Sequence, residues 1–151
     1  MKYFVPCIAA FCACFGFSLL YQIRGKKLVI AALCGAFAWA VYLIASELFG
    51  LSVAMSSFFG GAAAALYSEI AARLCRMPVT VCLIPGIIPT VPGLTIYRTM
   101  RECLIGNTEG FLSGCITTLK IGGAIALGLV LVSSCIRLFR TDIRHFYRER
   151  Q

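Results

Sequence analysis

A chain of 151 residues that is 60% hydrophobic and only 13% charged cannot cover itself with a water-facing surface, since a soluble domain carries about 25% charge. The basic residues behind the net charge of +8 fall in short clusters at the ends of long uncharged runs, where headgroups and the insertion machinery read them, so no soluble basic domain is left to bind nucleic acid. The length allows roughly four to six crossings of a bilayer at about 20 residues each.

Taken in order, five apolar segments are expected at residues 3–21, 28–46, 52–72, 79–97 and 111–136. None alternates with the period of two of a membrane barrel strand, and backbone satisfaction in lipid then makes them helices. The first could pass for a signal peptide, but its apolar run continues to Tyr21 and stops at the basic Arg24-Gly25-Lys26-Lys27, the pattern of a first span. The expected fold is an all-α, polytopic bundle of about five transmembrane helices over residues 1–136, followed by a basic cytoplasmic tail at 137–151. With the loop at Arg24, Lys26 and Lys27 inside, five crossings also place Arg73, Arg76 and the tail (Arg137, Arg140, Arg144, Arg148, Arg150) inside. Of the 14 lysines and arginines, only Lys2, Arg98, Arg101 and Lys120 fall elsewhere, which predicts the N-terminus out and the C-terminus in the cytoplasm.

Small residues recur at helical spacing in the third and fifth segments: Ser57, Gly61 and Ala65; Gly60, Ala64 and Ser68; Gly110 and Gly114; Gly122, Gly123 and Gly128. Such residues let backbones approach closely where lipid removes the hydrophobic drive. The nine cysteines lie mostly inside apolar runs and read as small core residues. Cys12 and Cys14 form a C-x-C without further ligands, so no metal site is expected.

The fourth segment is different. Three of the five prolines, Pro85, Pro89 and Pro92, fall within eight residues of it. Each withholds a donor from the carbonyl four residues back, at Val81, Pro85 and Ile88, and pushes the residue before it, Ile84, Ile88 or Val91, away from helical geometry. The expectation is an unwound stretch over 85–92 and a new helix starting between Thr90 and Gly93. Unwound backbone at membrane depth is tolerated where protein or a watery cavity covers it, and transporters use such breaks to hold substrates and ions. The amides of Gly93, Leu94 and Thr95 at the new helix start would suit a carboxylate; the alternative is a kinked helix packed in a core.

Other charges divide in the same way. Leu94, Arg98 and Arg101 share a helix face, where the arginines either guard an exit or orient the helix, and Arg98 can pair with Glu102. Lys120 is separated from Arg137 by 16 residues and lies beside Thr117 and Thr118; it either snorkels to headgroups or faces a polar cavity. Glu69, four residues before Arg73, is a helix ion pair or a site for a coupling ion or proton. His145, the one histidine, is read as solvated in the basic tail.

Residues 88–100, Ile88-Pro89-Thr90-Val91-Pro92-Gly93-Leu94-Thr95-Ile96-Tyr97-Arg98-Thr99-Met100, resemble the I-P-x-x-P-G-x-x-x-Y-x-x-M signature of the threonine/serine exporter family, and the length and hydropathy pattern are similar to its short, YjjB-like component. Pro89, Pro92, Gly93, Tyr97 and Met100 match the motif; Pro85 is an additional proline. The resemblance implies export of threonine, serine or, in the split kind, succinate, and a larger partner membrane subunit. The candidate substrate-binding residues are then Pro85, Pro89, Thr90, Pro92, Gly93, Thr95, Tyr97, Arg98 and Lys120, with Glu69 as the candidate for coupling and no cofactor. The alternatives are a membrane scaffold or assembly protein, for which the break would be packed dry, and a small homo-oligomeric channel. An enzyme is not expected, because no intramembrane histidine, aspartate pair, H-E-x-x-H or serine elbow is present.

Overall fold

A computed structural model describes residues 4–148, with side chains through Leu138. Six α-helices follow one another: α1 (Phe4–Leu20), α2 (Lys26–Leu43), α3 (Val53–Leu74), α4 (Thr80–Ile87), α5 (Gly93–Leu104) and α6 (Thr108–Arg148). No strand occurs among the described residues. The last turn of α2 widens into a π turn over Ile44–Leu48, with Phe49 N–H donating to Ile44 O at 3.4 Å. α4 tightens into a 3₁₀ turn over Ile88–Thr90.

The helix ends follow local chemistry. Ser52 caps α3, its hydroxyl accepting from Met55 N–H at 3.4 Å. The turn from α5 into α6 needs Gly106 at φ 75°, where a side chain would be strained. That geometry brings Asn107 N–H to Glu102 O at 3.0 Å, closing α5. The Asn107 side chain then accepts from Gly110 N–H at 3.1 Å and so starts α6.

α2 and α3 are central. α1 lies on α2, α6 lies on α3, and α4 sits on α2 and α3 with its end reaching α1; α5 packs chiefly on α6. The interior is built from small side chains. Cys14, Ala31, Cys34, Ala38, Ala64 and Cys82 are fully buried, as are Ser18, Ser56 and Ser68. The large apolar residues point outward: Phe4, Phe49, Leu74, Leu104 and Leu119 are each at least 70% exposed. This inverts the distribution of a water-soluble protein and is what close helix packing in lipid requires. The two stripes expected on α3 face different neighbours. A Cβ on Gly61 would stand 3.0 Å from Ile125 O of α6, and one on Gly60 would stand 3.1 Å from Thr90 Cγ2 and 3.4 Å from Ala38 O. Gly128 lies against the α3 backbone at Phe58 and Ala62, whereas Gly122 and Gly123 face open space.

By length and composition, two helices can cross a membrane, Lys26–Leu48 and Thr108–Leu138, or three if Thr80–Thr90 and Gly93–Leu104 form one bent span. α1 has 17 residues, about 26 Å at 1.5 Å per residue, short of the ~30 Å hydrocarbon thickness. The 22 residues of α3 include five serines and glycines at its buried face, Ser56, Ser57, Gly60, Gly61 and Ser68, as well as Glu69, which lower its apolar character. Of the basic tail expected at 137–151, α6 carries the backbone on to Arg148; the side chains of Arg140, Arg144, His145, Arg148 and Arg150 lie outside the described residues.

Candidate functional site

The broken segment is the best-defined feature that the sequence singles out. Its two halves, Thr80–Thr90 and Gly93–Leu104, meet at a bend of 53°. The break is narrower than expected. Ile84 lies inside α4 and Ile88 keeps helical angles, φ −51° and ψ −45°, although each precedes a proline. Only Val91, at φ −63° and ψ 134°, leaves the helical region ahead of its proline. Pro85 is helical and fully buried rather than part of an unwound stretch, so the expectation of unwinding from residue 85 is corrected to a break at Val91 and Pro92.

Partners for the carbonyls explain the difference. Pro89 has no N–H to give Pro85 O, but that oxygen accepts from Ile88 N–H and from the thiol of Cys14 on α1, at 3.1 Å. Ile88 O, which Pro92 leaves free, accepts from Val91 N–H at 3.3 Å. Thr90 donates its hydroxyl to Ile87 O at 2.7 Å. The carbonyls at Pro85 and Ile88 that the prolines strand are thus satisfied without a watery cavity. Glycines make room for this packing: a Cβ on Gly35 would overlap Cys14 Sγ, and one on Gly86 would overlap Cys34 Sγ.

Past the break the surroundings change. A Cβ on Gly93 would meet nothing within 4 Å. No side chain caps α5. Gly93 N–H is taken by Val91 O at 2.8 Å and Ile96 N–H by Pro92 O at 3.0 Å, so of the three amides expected to be free, Gly93 is not. Thr95 is half-buried, and Tyr97 and Arg98 are exposed. The helix is held to α6 through Thr99, its one buried residue, whose side chain fills the space over Gly114.

The remaining candidates stand apart. Lys120 is on the exposed face of α6, one turn from Thr117, whose hydroxyl bonds back to Ser113 O at 2.9 Å. Glu69 is paired with Arg73 at 3.8 Å. The expected Arg98–Glu102 pair is absent among the described residues, because the Asn107 amide, held close by the turn at Gly106, donates to Glu102 Oε2 at 2.8 Å. No hydrogen bond or ion pair among the described residues joins Glu69, Arg98 and Lys120 to one another. A cleft of about 220 Å³ lies beside Cys7, Ala40, Ile44 and Glu47, another of about 400 Å³ beside Val41, Ala45, Phe49 and Phe59, and a third beside Leu129, Ser133 and Arg137. None of these includes the break. The nine cysteines are free thiols, and no cluster of His, Cys, Asp or Glu among the described residues could hold a metal ion.

The contributions of Cys14, Gly35, Cys34 and Gly86 are not evident from spacing. The signal that could have found Cys14 is the stranded carbonyl of Pro85, which demanded a donor from elsewhere in the fold.

Neither a curated protein nor a solved structure matches the chain. The profile of a family described as "Threonine/Serine exporter, ThrE" matches residues 6–135, nearly the whole helical bundle and all of the broken segment. Membership of an exporter family implies a membrane transporter rather than an enzyme. The chain belongs to the threonine/serine exporter (ThrE) family.

Proposed function

We propose that this chain is the short membrane subunit of a small-solute exporter, moving a threonine/serine-type amino acid or a dicarboxylate such as succinate together with a larger partner membrane subunit. The observation that carries the reading is the bend at Val91 and Pro92, where a helix packed inside the bundle gives way to one that starts in the open at Gly93. A helix start with uncapped amides favours a carboxylate, the group shared by both solute classes. In this reading Pro85, Pro89, Thr90 and Pro92 set the shape of the break, while Gly93, Thr95, Tyr97 and Arg98 meet the solute as it passes. Lys120 supplies positive charge along the same route, and Glu69 is the residue for coupling.

The chain then lies in the plasma membrane with five crossings, α4 and α5 counting as one, the N-terminus outside and the C-terminus in the cytoplasm. The basic clusters at Arg24, Lys26 and Lys27 and at Arg73 and Arg76 support that orientation. A second reading, a scaffold without its own transport cycle or a small homo-oligomeric channel, is favoured by the dry packing around Pro85 and Thr90. Efflux of labelled threonine, serine and succinate separates the two. The exporter reading expects efflux of at least one solute from cells holding this chain and the larger subunit, lost when either is omitted. Efflux that is the same with and without this chain would support the scaffold.

A further inference from the structure

We propose that Cys14 is the positioning residue of the broken helix: its thiol takes the place of the N–H that Pro89 lacks and so ties the embedded half of that helix to α1. The inference rests on the reading that the break is the working part of an exporter, but its geometry stands separately. In an uninterrupted helix Pro85 O would accept from the amide of residue 89, and a proline there leaves that oxygen short of a donor. A buried acceptor without a partner is costly. Ile88 N–H reaches it from one residue early, and the second bond comes from Cys14 Sγ at 3.1 Å, from a residue 71 positions away in sequence.

The sulfur has a place built for it. Cys14 is fully buried. Gly35 of α2 lies directly beneath it, where any Cβ would overlap Sγ and would also meet Pro89 Cγ at 3.5 Å. Helix α1, helix α2 and helix α4 therefore converge on one atom. Cys34 provides an internal control. It fills the space over Gly86 in the same manner, but it bonds to Ser68 Oγ at 3.4 Å and Ala64 O at 3.7 Å, neither of which a proline has stranded. Cys34 joins helices; Cys14 completes the helix that Pro89 interrupts. Because a thiol is a weaker donor than an amide, the tie holds the embedded half against α1 and yields more easily than a backbone bond would.

The test uses the full chain with two readouts. In infrared difference spectra of the purified protein in lipid, wild type minus Cys14→Ala contains an S–H stretch shifted to the low frequency of a hydrogen-bonded thiol. A difference band at the free-thiol frequency would overturn the tie whether or not the protein transports anything. In cells that also hold the larger subunit, Cys14→Ala lowers efflux about three- to tenfold, the value of one hydrogen bond. Cys14→Ser, which keeps a donor, retains most of the rate. Pro89→Ala added to Cys14→Ala returns an N–H to the stranded carbonyl and recovers the melting temperature that Cys14→Ala loses, whereas added to Cys34→Ala it recovers nothing. Losses that simply accumulate in the Cys14→Ala/Pro89→Ala double variant would overturn the positioning role. Should Cys14→Ala fail to insert, Cys14→Ser carries the infrared comparison, since it too removes the S–H band. Absence of efflux from the wild-type pair would count against the exporter reading alone and leave the infrared result to decide the tie.

Discussion

The two halves of the broken segment are neighbours in sequence and opposites in environment. Helix α4 is apolar and embedded: Cys82, Pro85 and Gly86 are buried, and the turn that follows ends on buried Thr90. Helix α5, starting three residues later, is amphipathic, buries only Thr99, and exposes Leu94, Tyr97, Met100 and Leu104. The prolines alone do not account for this contrast, because the two that lie in the embedded half are accommodated in helical backbone. What differs is the company. The first half meets glycines and thiols that fit it closely, and the second meets one helix across Thr99 and Gly114. Close packing carries the helix past Pro85 and Pro89; beyond Pro92, where a Cβ on Gly93 would meet nothing within 4 Å, that packing is missing.

The largest expected effect tests the embedded half. Gly86→Leu places a side chain on Cys34 Sγ, with fully buried Cys34 and Pro85 unable to move aside. Overpacking of this kind costs about 3 kcal/mol or more, so the variant should yield little monodisperse protein in detergent and a clearly lowered melting temperature. Wild-type yield and melting would show that this half is looser than its burial implies.

The next effect tests the open half by the same substitution seven residues on. Gly93→Leu has free space around it and an ordinary φ, so stability should stay within about 0.5 kcal/mol of wild type. Efflux should nonetheless be lost, because a leucine at the helix start would block approach to the uncapped amides. A variant that is stable and exports normally would remove the solute from this end of the helix. The pair sharpens the comparison: one glycine is there for packing and the other for access.

Much of this arrangement was legible in the sequence. The helical segments, the small-residue stripes of α3 and the place of the break follow from spans, spacing and prolines, because those depend on local composition. The extent of the break was not legible. Whether Pro89 unwinds the chain depends on a donor brought by Cys14, a contact set by tertiary packing. The pairing of Glu102 with Asn107 rather than Arg98 was hidden for a similar reason, since it follows from the turn at Gly106. The small residues at Gly122 and Gly123 read as packing positions, within the chain or against a partner; within the chain they face outward, where spacing alone cannot distinguish a neighbouring helix from lipid.

Lys120 carries a smaller effect and extends the comparison along α6. It lies five residues before Ile125, about 7.5 Å along the helix, and Ile125 packs on Gly61 of α3. Its side chain is exposed, so Lys120→Met should leave the fold intact. If the ammonium faces the solute route, efflux of a carboxylate should fall about tenfold or more, in line with the loss of a charged hydrogen bond, while insertion is unchanged. An unaltered rate would place the ammonium among headgroups, reached by snorkelling.

The smallest effect on stability is expected at Glu69, and it is informative for that reason. The ion pair with Arg73 is 3.8 Å long and the arginine side chain is 58% exposed, so its loss should cost less than about 0.5 kcal/mol. Glu69→Gln keeps the shape and removes the charge. Measured on its own, the melting temperature should barely move. The decisive measurement is efflux as a function of external pH, compared between wild type and variant. If Glu69 takes up a coupling proton, the wild-type rate depends on pH and the variant's does not, with nearly the same stability in both. If the two profiles coincide, the residue is a helix ion pair with no part in transport. Because Glu69 sits on α3, outside the broken helix, a change in pH dependence would also mean that the working region reaches into the central helix that both α4 and α6 pack against.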